Sequence, residues 1–295
     1  MDILLQPFKL EELDYLYTFI DDWFFVIALG LFGVELLRYA FKKQFTRNLL
    51  GDSVANFVTL GLFLFTLLFT ALAYTSVFFY VYDNFRITEL PFTLWTVVCC
   101  IILADLAYYW EHRFLHSNGF AWATHTVHHS SPHFNISVAY RHGPLDWFFP
   151  LFFHLPLAVI GFNPIIIFIS EMLVQLFQTL LHTESVKKLP RPFEAIFNTP
   201  SHHRVHHATN SKYIDKNYAG IFIIWDRMFG TFAKEDEKVR YGVFPRINSV
   251  NPFKIYFEGY WKLLKRFITA PSWRYRWNLM VKPPIWTWQQ ERKNK

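Results

Sequence analysis

The sequence predicts an all-α integral membrane protein with about four transmembrane helices, three single spans and a helical hairpin. Apolar residues make up 53% of the chain and aromatic residues 20%, which is heavy for a soluble globular protein. The apolar residues gather into runs near the length of about 20 residues that a helix needs to cross a bilayer. Histidines cluster between these runs, which predicts a helical cap with a histidine-rich two-metal site.

Four apolar stretches carry the membrane signal. They are residues 22–41, 54–82, 92–110 and 145–182. The last stretch is long enough to cross twice, but Gly161, Asn163 and Pro164 interrupt it. Such residues end helices and form turns. We therefore predict a helical hairpin that turns at 161–164, with arms that are short for a full crossing.

Charge places the loops relative to the membrane. The acidic start lacks the basic region and short apolar core of a signal peptide, so the first span is expected to be retained. Three basic residues lie within 42–47, against a lone Arg86 in the second loop, which makes the first loop cytoplasmic. Counting the crossings then puts residues 111–144 and 183–295 on the cytoplasmic side, with the first loop. We expect the active site on the cytoplasmic face of a bacterial inner membrane or endoplasmic reticulum.

The net charge and the two cysteines indicate which partners the chain binds and which sites it lacks. The net charge is +6, but the basic residues are dispersed among aromatic ones, which favours anionic lipid headgroups over nucleic acid. Cys99 and Cys100 are adjacent in an apolar run, a spacing unsuited to a disulfide or a thiolate metal site. One structural unit is expected, with membrane helices in 1–90, a catalytic region in 91–235 and an interfacial aromatic-basic cap in 236–295.

Most of the 13 histidines lie in three clusters. The clusters HRFLH, HTVHH and HHRVHH contain His112, His116, His125, His128, His129, His202, His203, His206 and His207. Spacings of three and four residues stack imidazoles on one helix face. With His182 added, the ligands exceed the four that a single zinc uses, so two metals are expected. Imidazole suits iron, zinc, copper and nickel.

Four alternatives to an oxidative metal centre make different predictions. Accidental surface histidines would not fall in three clusters on one membrane face. A zincin needs glutamate after the first histidine of H-E-x-x-H, whereas Arg113 follows His112. A membrane metal transporter or store would place ligands along a path near mid-membrane, and a dizinc membrane hydrolase would form product without oxygen.

Over about residues 90–235 the H-x3-H, H-x2-HH and second H-x2-HH motifs resemble the fatty acid hydroxylase and sterol desaturase superfamily. That resemblance implies a non-haem di-iron enzyme that uses dioxygen to hydroxylate or desaturate a lipid C–H bond. The strings HHSSPHFNISVAYRHG, LHTE and NTPSHHRVHHATN are most similar to the alkylglycerol monooxygenase branch and its bacterial relatives. This implies an ether-lipid, fatty-acyl or sterol-type substrate.

The resemblance assigns metal ligands position by position. They are His112, His116, His125, His128, His129, His182, His203, His206 and His207. His202 precedes the third motif without a counterpart, so ligation by it stays open. His133 and His142 lack the stacked spacing, and His154 is expected to be a hydrogen-bonded core residue. Two iron ions are implied, and zinc can replace them in purified samples.

Several residues near the motifs are expected to support the centre. Asp105 lies two helical turns before His112 and is predicted to orient an imidazole, while Asn135 and Glu184 flank presumed ligands. Further candidates were Asn198, Asp215 and Asp226 beside the centre, and Arg141 and Arg204 at a lipid headgroup. No G-x-G-x-x-G fingerprint is present, so electrons are expected from a separate donor: tetrahydrobiopterin, cytochrome b5 or a ferredoxin.

Overall fold

The computed structural model describes residues 10–293, so residues 1–9 of the chain start and residues 294–295 of the cap lie outside the described residues. Within that range every regular element is a helix, apart from one isolated bridge between Ala208 and Tyr241. The predicted all-α fold is confirmed. The helices are α1 Leu10–Phe41, α2 Arg47–Phe85, α3 Leu94–Ser117, α4 Gly119–His129, α5 Phe149–Ile160, α6 Pro164–Leu181, α7 Arg191–Ile196, α8 Pro200–His206, α9 Ile224–Met228, α10 Pro252–Thr269, α11 Trp273–Val281 and α12 Pro284–Lys293.

Four described helices are long and apolar enough to span a membrane: Asp22–Phe41 within α1, and all of α2, α3 and α6. This confirms an integral membrane protein with about four spans. Helix α2 has 39 residues, which is about 58 Å and nearly twice the hydrocarbon thickness of about 30 Å. The helix is therefore longer than one crossing needs, and its residues Asp52 and Asn56 contact Arg141 near the histidine clusters.

The predicted hairpin turn lies between α5 and α6. Helix α5 ends at Gly161, whose φ of 117° is the left-handed conformation that glycine adopts readily. The Asn163 side chain then accepts a hydrogen bond from the backbone N–H of Ile165 at 3.0 Å, and Pro164 begins α6. With 12 residues, α5 is about 18 Å long, too short to cross alone. Of the two arms, only α6 reaches the length of a span.

Two buried arginines hold together segments that surround the histidine clusters. The Arg141 guanidinium is 1% exposed and donates to Asp52 at 2.8 Å and to Asn56 at 2.7 Å. Arg204 likewise donates to both carboxylate oxygens of Glu235, at 2.9 and 2.8 Å. Contrary to the sequence-based expectation, neither guanidinium is available to a lipid headgroup. Both instead stabilise the packing around the histidine clusters.

Helix α10 covers the cap and leaves one apolar face exposed. Its inner face packs on α4, and its outer face presents side chains spaced by three or four residues, as one helix face requires. These exposed side chains are Phe253, Phe257, Trp261, Leu264 and Ile268. An exposed apolar stripe with aromatic rings suits the membrane interface. The interfacial role of residues 236–295 stays a prediction.

Gly259 permits the close approach of α10 to α4. A Cβ at this position would clash with the Ala123 carbonyl and with Thr126. We expect Gly259→Ala to lower the free energy of unfolding by about 1–3 kcal/mol, because the two helix backbones must separate. Thermal unfolding of the detergent-solubilised protein measures this. Gly61→Ala in α2 is the matched control, since no atom lies within 4 Å of its added methyl group; an equal loss there would contradict the packing explanation.

Candidate metal centre

Two adjacent sets of imidazoles lie where α3, α4, α6 and α8 meet. The first set is His112, His116, His125, His129 and His206, and the second is His128, His182, His203 and His207. Within each set the candidate ligand atoms lie within 4.8 Å of one another. All nine predicted ligands are thereby brought together, and the other four histidines lie outside both sets.

Two short helices divide their histidines between the sets. On α4, His125 and His129 are four residues apart and share the first set, while His128 belongs to the second. At α8, His203 and His207 share the second set while His206 belongs to the first. Residues four apart lie on the same helix face. The HxxHH pattern therefore aims ligands at two neighbouring points from one helix.

Backbone carbonyls orient three of the rings. Each ring places its Nδ1 within hydrogen-bond distance of a carbonyl oxygen: His112 with Tyr218 at 2.8 Å, His182 with Gln178 at 2.8 Å and His206 with Lys216 at 3.0 Å. A carbonyl can only accept, so in each pair the Nδ1 must carry the proton. The Nε2 of such a neutral ring then carries a free lone pair, and this is the atom that can bind a metal.

The Nε2 atoms converge at a spacing typical of metal ligands. Nε2 atoms of neighbouring rings lie 3.0 to 3.2 Å apart in both sets. With a metal–nitrogen distance of about 2.1 Å, ligands at right angles are about 3.0 Å apart and tetrahedral ligands about 3.4 Å apart. The observed spacing is nearer to right-angle than to tetrahedral coordination. Without a cation or a proton between them, the facing lone pairs would repel.

Burial keeps these imidazoles neutral. Desolvation lowers the pKa of His182 to about 4. Desolvation first, and the neighbouring imidazoles second, lower the pKa of His125, His129 and His206 well below the ordinary value. A metal binds the neutral ring. The buried rings are therefore ready to bind a cation without first losing a proton at neutral pH.

An unpaired nitrogen also fits a metal ligand. The Nε2 of His116, a member of the first set, is buried and lacks a hydrogen-bond partner. A buried polar atom without a partner costs free energy. The Nδ1 of His116 lies 3.7 Å from the Asp215 carboxylate, which makes Asp215 a candidate to orient that ring. The donor chemistry of both sets therefore fits metal ions.

Asp105 anchors the loop that follows α8 and does not contact an imidazole. Its carboxylate accepts hydrogen bonds from the backbone N–H groups of Ile221 at 2.5 Å and Phe222 at 2.9 Å, and from the indole of Trp225 at 2.8 Å. The direct orienting role expected for Asp105 is therefore not what the contacts show. It supports the centre only through the loop.

Asp226 anchors the same loop from its other side. It accepts hydrogen bonds from the backbone N–H groups of Tyr218 and Ala219, each at 2.8 Å, and from the Thr231 hydroxyl at 2.6 Å. The carbonyl of Tyr218 is the partner of His112. The two aspartates thus hold in place a backbone oxygen that orients a candidate ligand.

Three further predicted supporting residues also lie away from the imidazoles, and one of them, Asn198, donates to the Ala219 carbonyl at 2.6 Å. Asn135 caps a short 3-10 helix, and its side chain accepts from the Ser137 backbone at 3.0 Å. Glu184 is exposed and accepts from the Tyr241 hydroxyl at 3.2 Å. Among the described contacts, none of the three side chains hydrogen-bonds to a histidine of either set.

The four remaining histidines have other partners. His202 lies on α8 with its Nε2 3.1 Å from the Glu194 carboxylate, and no atom of it joins either set. His142 stacks on Phe63, and His133 is half-buried at the edge of the cap. His154 contacts backbone carbonyls of the helices around it.

A cavity of about 540 Å³ adjoins the imidazoles. Its walls include His125, His128 and His182, which belong to the two sets. Most of the remaining wall is apolar and comes from membrane-spanning helices, including Phe24, Leu60, Phe63, Leu67 and Phe168. Cavities of this size and polarity suit the apolar part of a small ligand. A lipid chain can therefore lie against the imidazole sets.

Two kinds of group around the imidazoles were not identified from the sequence. The backbone carbonyls that orient the rings carry no signal in residue type. Glu111 and Glu171, which line the cavity, do carry one, because an ionisable residue inside a membrane span is a functional candidate by default.

Comparison with known proteins gives the family. The fatty acid hydroxylase family model matches residues 97–231. Alkylglycerol monooxygenase of Danio rerio is 43% identical over 213 residues, 72% of this chain and 47% of that protein. The human alkylglycerol monooxygenase is 39% identical over 222 residues, 75% of this chain and 49% of that protein. Ornithine lipid hydroxylase OlsE of Rhizobium tropici is 31% identical over 137 residues, 46% of this chain and 41% of that protein.

The chain spans about half the length of the alkylglycerol monooxygenases that it matches. No solved structure matches it. The matched region contains α4, α6, α8 and every histidine of both sets, so the family and the geometry refer to the same site. Together they identify a histidine-ligated metal site, and residues 97–231 belong to the fatty acid hydroxylase family.

Proposed function

We propose that this protein is an oxygen-dependent lipid monooxygenase that hydroxylates a C–H bond at a centre of two iron ions. The observation that carries this proposal is the pair of adjacent imidazole sets beside an apolar cavity. The near right-angle spacing of the Nε2 atoms, and the fifth imidazole of the first set, differ from the four-ligand tetrahedron of structural zinc and disfavour it. Two irons would supply dioxygen activation and C–H oxidation.

The chain's own residues position the substrate and exclude water. The apolar side chains of α1, α2 and α6 form the cavity wall and hold a lipid chain against His125, His128 and His182. Such a wall keeps water away from reactive species. The carbonyls of Tyr218, Gln178 and Lys216 hold three rings in one orientation, so that little reorganisation is needed during the reaction.

The substrate class and the electron donor are part of the proposal. Relatives named alkylglycerol monooxygenase, ornithine lipid hydroxylase and lathosterol oxidase act on lipids, which supports an ether-lipid, fatty-acyl or sterol-type substrate. The electrons come from tetrahydrobiopterin, cytochrome b5 or a ferredoxin, and zinc can replace iron in purified samples. The basic first loop supports a cytoplasmic position for the site.

Isotope labelling tests the reaction class. The purified full chain is loaded anaerobically with ferrous iron in nanodiscs that contain a total lipid extract, and each donor is added in turn under ¹⁸O₂. We expect a lipid product that gains one ¹⁸O atom, while the second oxygen atom leaves as water. The zinc-loaded protein serves as the control and is expected to consume no oxygen.

Other outcomes would contradict the proposal. Loss of two hydrogens without a gain of oxygen would indicate desaturation. Product formation without oxygen would indicate a hydrolase, and metal flux across liposomes without oxygen consumption would indicate a transporter.

A further inference from the structure

One acidic side chain is buried on the inner face of α1. Glu35 is 3% exposed, although only 17% of the apolar stretch of α1 is buried. It shares the inner face with the buried residues Ala28 and Tyr39, whose positions before and after it repeat with the period of one helix face. An ionisable residue inside a membrane span is costly to bury and is a functional candidate by default. The partners of Glu35 therefore indicate what α1 does.

The Glu35 carboxylate joins two parts of the chain that are distant in sequence. Its Oε2 accepts a hydrogen bond from the Ile136 backbone N–H at 2.8 Å. Its Oε1 accepts from the Thr183 hydroxyl and, at 3.4 Å, from the Ser185 hydroxyl. The Thr183 hydroxyl also accepts from the Ser185 backbone N–H at 2.9 Å. Glu35 therefore holds both parts of the chain against α1.

Two neighbours of Glu35 on α1 contact the same parts of the chain. The Tyr39 hydroxyl donates to the Phe134 carbonyl at 3.2 Å, and the Arg38 guanidinium donates to the Glu184 carbonyl at 3.3 Å. We call residues 134–136 and 183–185 the clamped segments. One and a half turns of α1 thus hold both clamped segments.

Both clamped segments adjoin the second imidazole set. Thr183 directly follows His182, whose Nε2 lies 3.0 Å from that of His203. The Phe134 ring stacks on the His182 ring, with the centroids 5.5 Å apart and the planes at 30°. The centroid of the same Phe134 ring lies 5.1 Å from that of His207. The clamped segments therefore limit how far the rings of the second set can move.

The first imidazole set has no comparable connection to this part of α1. Its five histidines lie on α3, α4 and α8. The described hydrogen bonds of the Glu35, Arg38 and Tyr39 side chains go to the clamped segments. A change at Glu35 is therefore expected to act on the second set and to spare the first.

We propose that Glu35 is a positioning residue for the second imidazole set, and that α1 determines through it how tightly that set binds a metal ion. The carboxylate acts through its hydrogen bonds, which fix the backbone after His182 and the ring that stacks on it. A ligand held in place by such a support binds its metal with less reorganisation. The inference rests on the proposed two-ion centre for what the set binds, whereas the hydrogen bonds of the clamp do not depend on it.

Metal counting tests whether Glu35 acts on one set. The full chain in nanodiscs is titrated with cobalt(II), and bound ions are counted by mass-spectrometric metal analysis. Glu35→Leu removes both acceptor oxygens and leaves the buried Ile136 N–H and Thr183 hydroxyl without this partner. We expect the affinity of the second set for cobalt(II) to fall about tenfold to a hundredfold, while that of the first set changes by less than about twofold.

A second background assigns the lost ion to its set. His206→Ala takes a donor from the first set only. Combined with Glu35→Leu, it is expected to leave no tightly bound ion, whereas each single variant keeps about one. If Glu35→Leu alone loses both ions or neither, or if the combined variant still binds one tightly, the proposal is overturned.

Glu35→Gln separates hydrogen bonding from charge. Its amide oxygen can accept from the Ile136 N–H, and its NH₂ group can donate to the Thr183 hydroxyl, which also accepts. We expect this variant to bind two ions with affinities within about threefold of the unaltered chain. A loss as large as that in Glu35→Leu would show that the charge is needed and would overturn positioning through hydrogen bonds.

Glu258→Leu is the matched control for the substitution of a shielded glutamate by leucine. The Glu258 side chain is 18% exposed and pairs with Lys262 of its own helix, α10, at 3.1 Å. This control is expected to keep both ions. If it loses the second ion as Glu35→Leu does, the effect does not come from the clamp and the proposal fails.

Amide exchange tests the clamp separately from metal counting. In Glu35→Leu, hydrogen–deuterium exchange of the full chain as purified is expected to be about tenfold faster in both clamped segments and unchanged in residues 252–269. Unchanged exchange in the clamped segments would overturn the proposal. If the unaltered chain binds a single ion, the proposed two-ion centre is wrong, and the exchange result still decides whether Glu35 holds these segments.

Thr183→Val breaks the same contact from its other end. Valine keeps the shape of threonine and removes the hydroxyl that donates to Glu35. This variant decides the question if Glu35→Leu does not fold. We expect the affinity of the second set for cobalt(II) to fall about tenfold, and an unchanged affinity would overturn the proposal.

Discussion

His206→Ala is expected to abolish the proposed lipid oxidation and, for the proposed two-ion centre, to lower the metal content from about two ions per chain to about one. The His206 Nε2 lies 3.1 Å from that of His129, and its Nδ1 is held by the Lys216 carbonyl. Removing the ring takes one donor from the first set and leaves the second set intact. Mass-spectrometric metal analysis and oxygen uptake measure the two effects, and we expect turnover to fall about a hundredfold or more.

His202→Ala provides the matched control within the same helix. His202 is as buried as His206 but contacts Glu194 and belongs to neither set. This variant is expected to lose some stability and to keep its metal. If His202→Ala loses as much metal as His206→Ala, or if His206→Ala keeps a full complement, the assignment of ligands to the two sets is wrong.

Asp105→Asn is expected to weaken the metal centre from a distance. Asparagine has one acceptor oxygen and directs an N–H₂ group at a backbone donor, so at least one buried N–H of Ile221 or Phe222 loses its partner. We expect a loss of about 3 kcal/mol in the free energy of unfolding. Because the same loop carries the Tyr218 carbonyl that orients His112, metal affinity should also fall, by about tenfold to a hundredfold.

Chemical unfolding and metal titration of Asp105→Asn measure these two quantities. Asp83→Asn on α2 serves as the control, since its carboxylate is 66% exposed and its ion pair with Arg86 spans 4.0 Å; little change is expected there. A variant at Asp105 with full stability and full metal affinity would contradict the anchoring role. Full stability with lost metal would instead indicate direct contact with the centre.

Local sequence patterns were sufficient to predict the membrane helices and the histidines of the site. Hydropathy located the spans because a helix in lipid must satisfy its backbone internally and present an apolar surface. Gly161, Asn163 and Pro164 located the hairpin turn because their backbone preferences are local. Spacings of three and four residues located the histidine clusters, since those spacings define a helix face. All of these are properties of neighbouring residues.

Only the tertiary structure decided how those residues combine. The division of nine histidines into sets of five and four depends on how α3, α4, α6 and α8 pack, and no spacing within one helix determines it. Asp105 accepts hydrogen bonds from a loop more than 100 residues later in the chain, whereas its position in the sequence predicted that it orients His112. Glu35 likewise accepts hydrogen bonds from two segments that are distant from α1 in the chain. Such contacts arise from packing between distant segments, which the periodicity of a single segment does not encode.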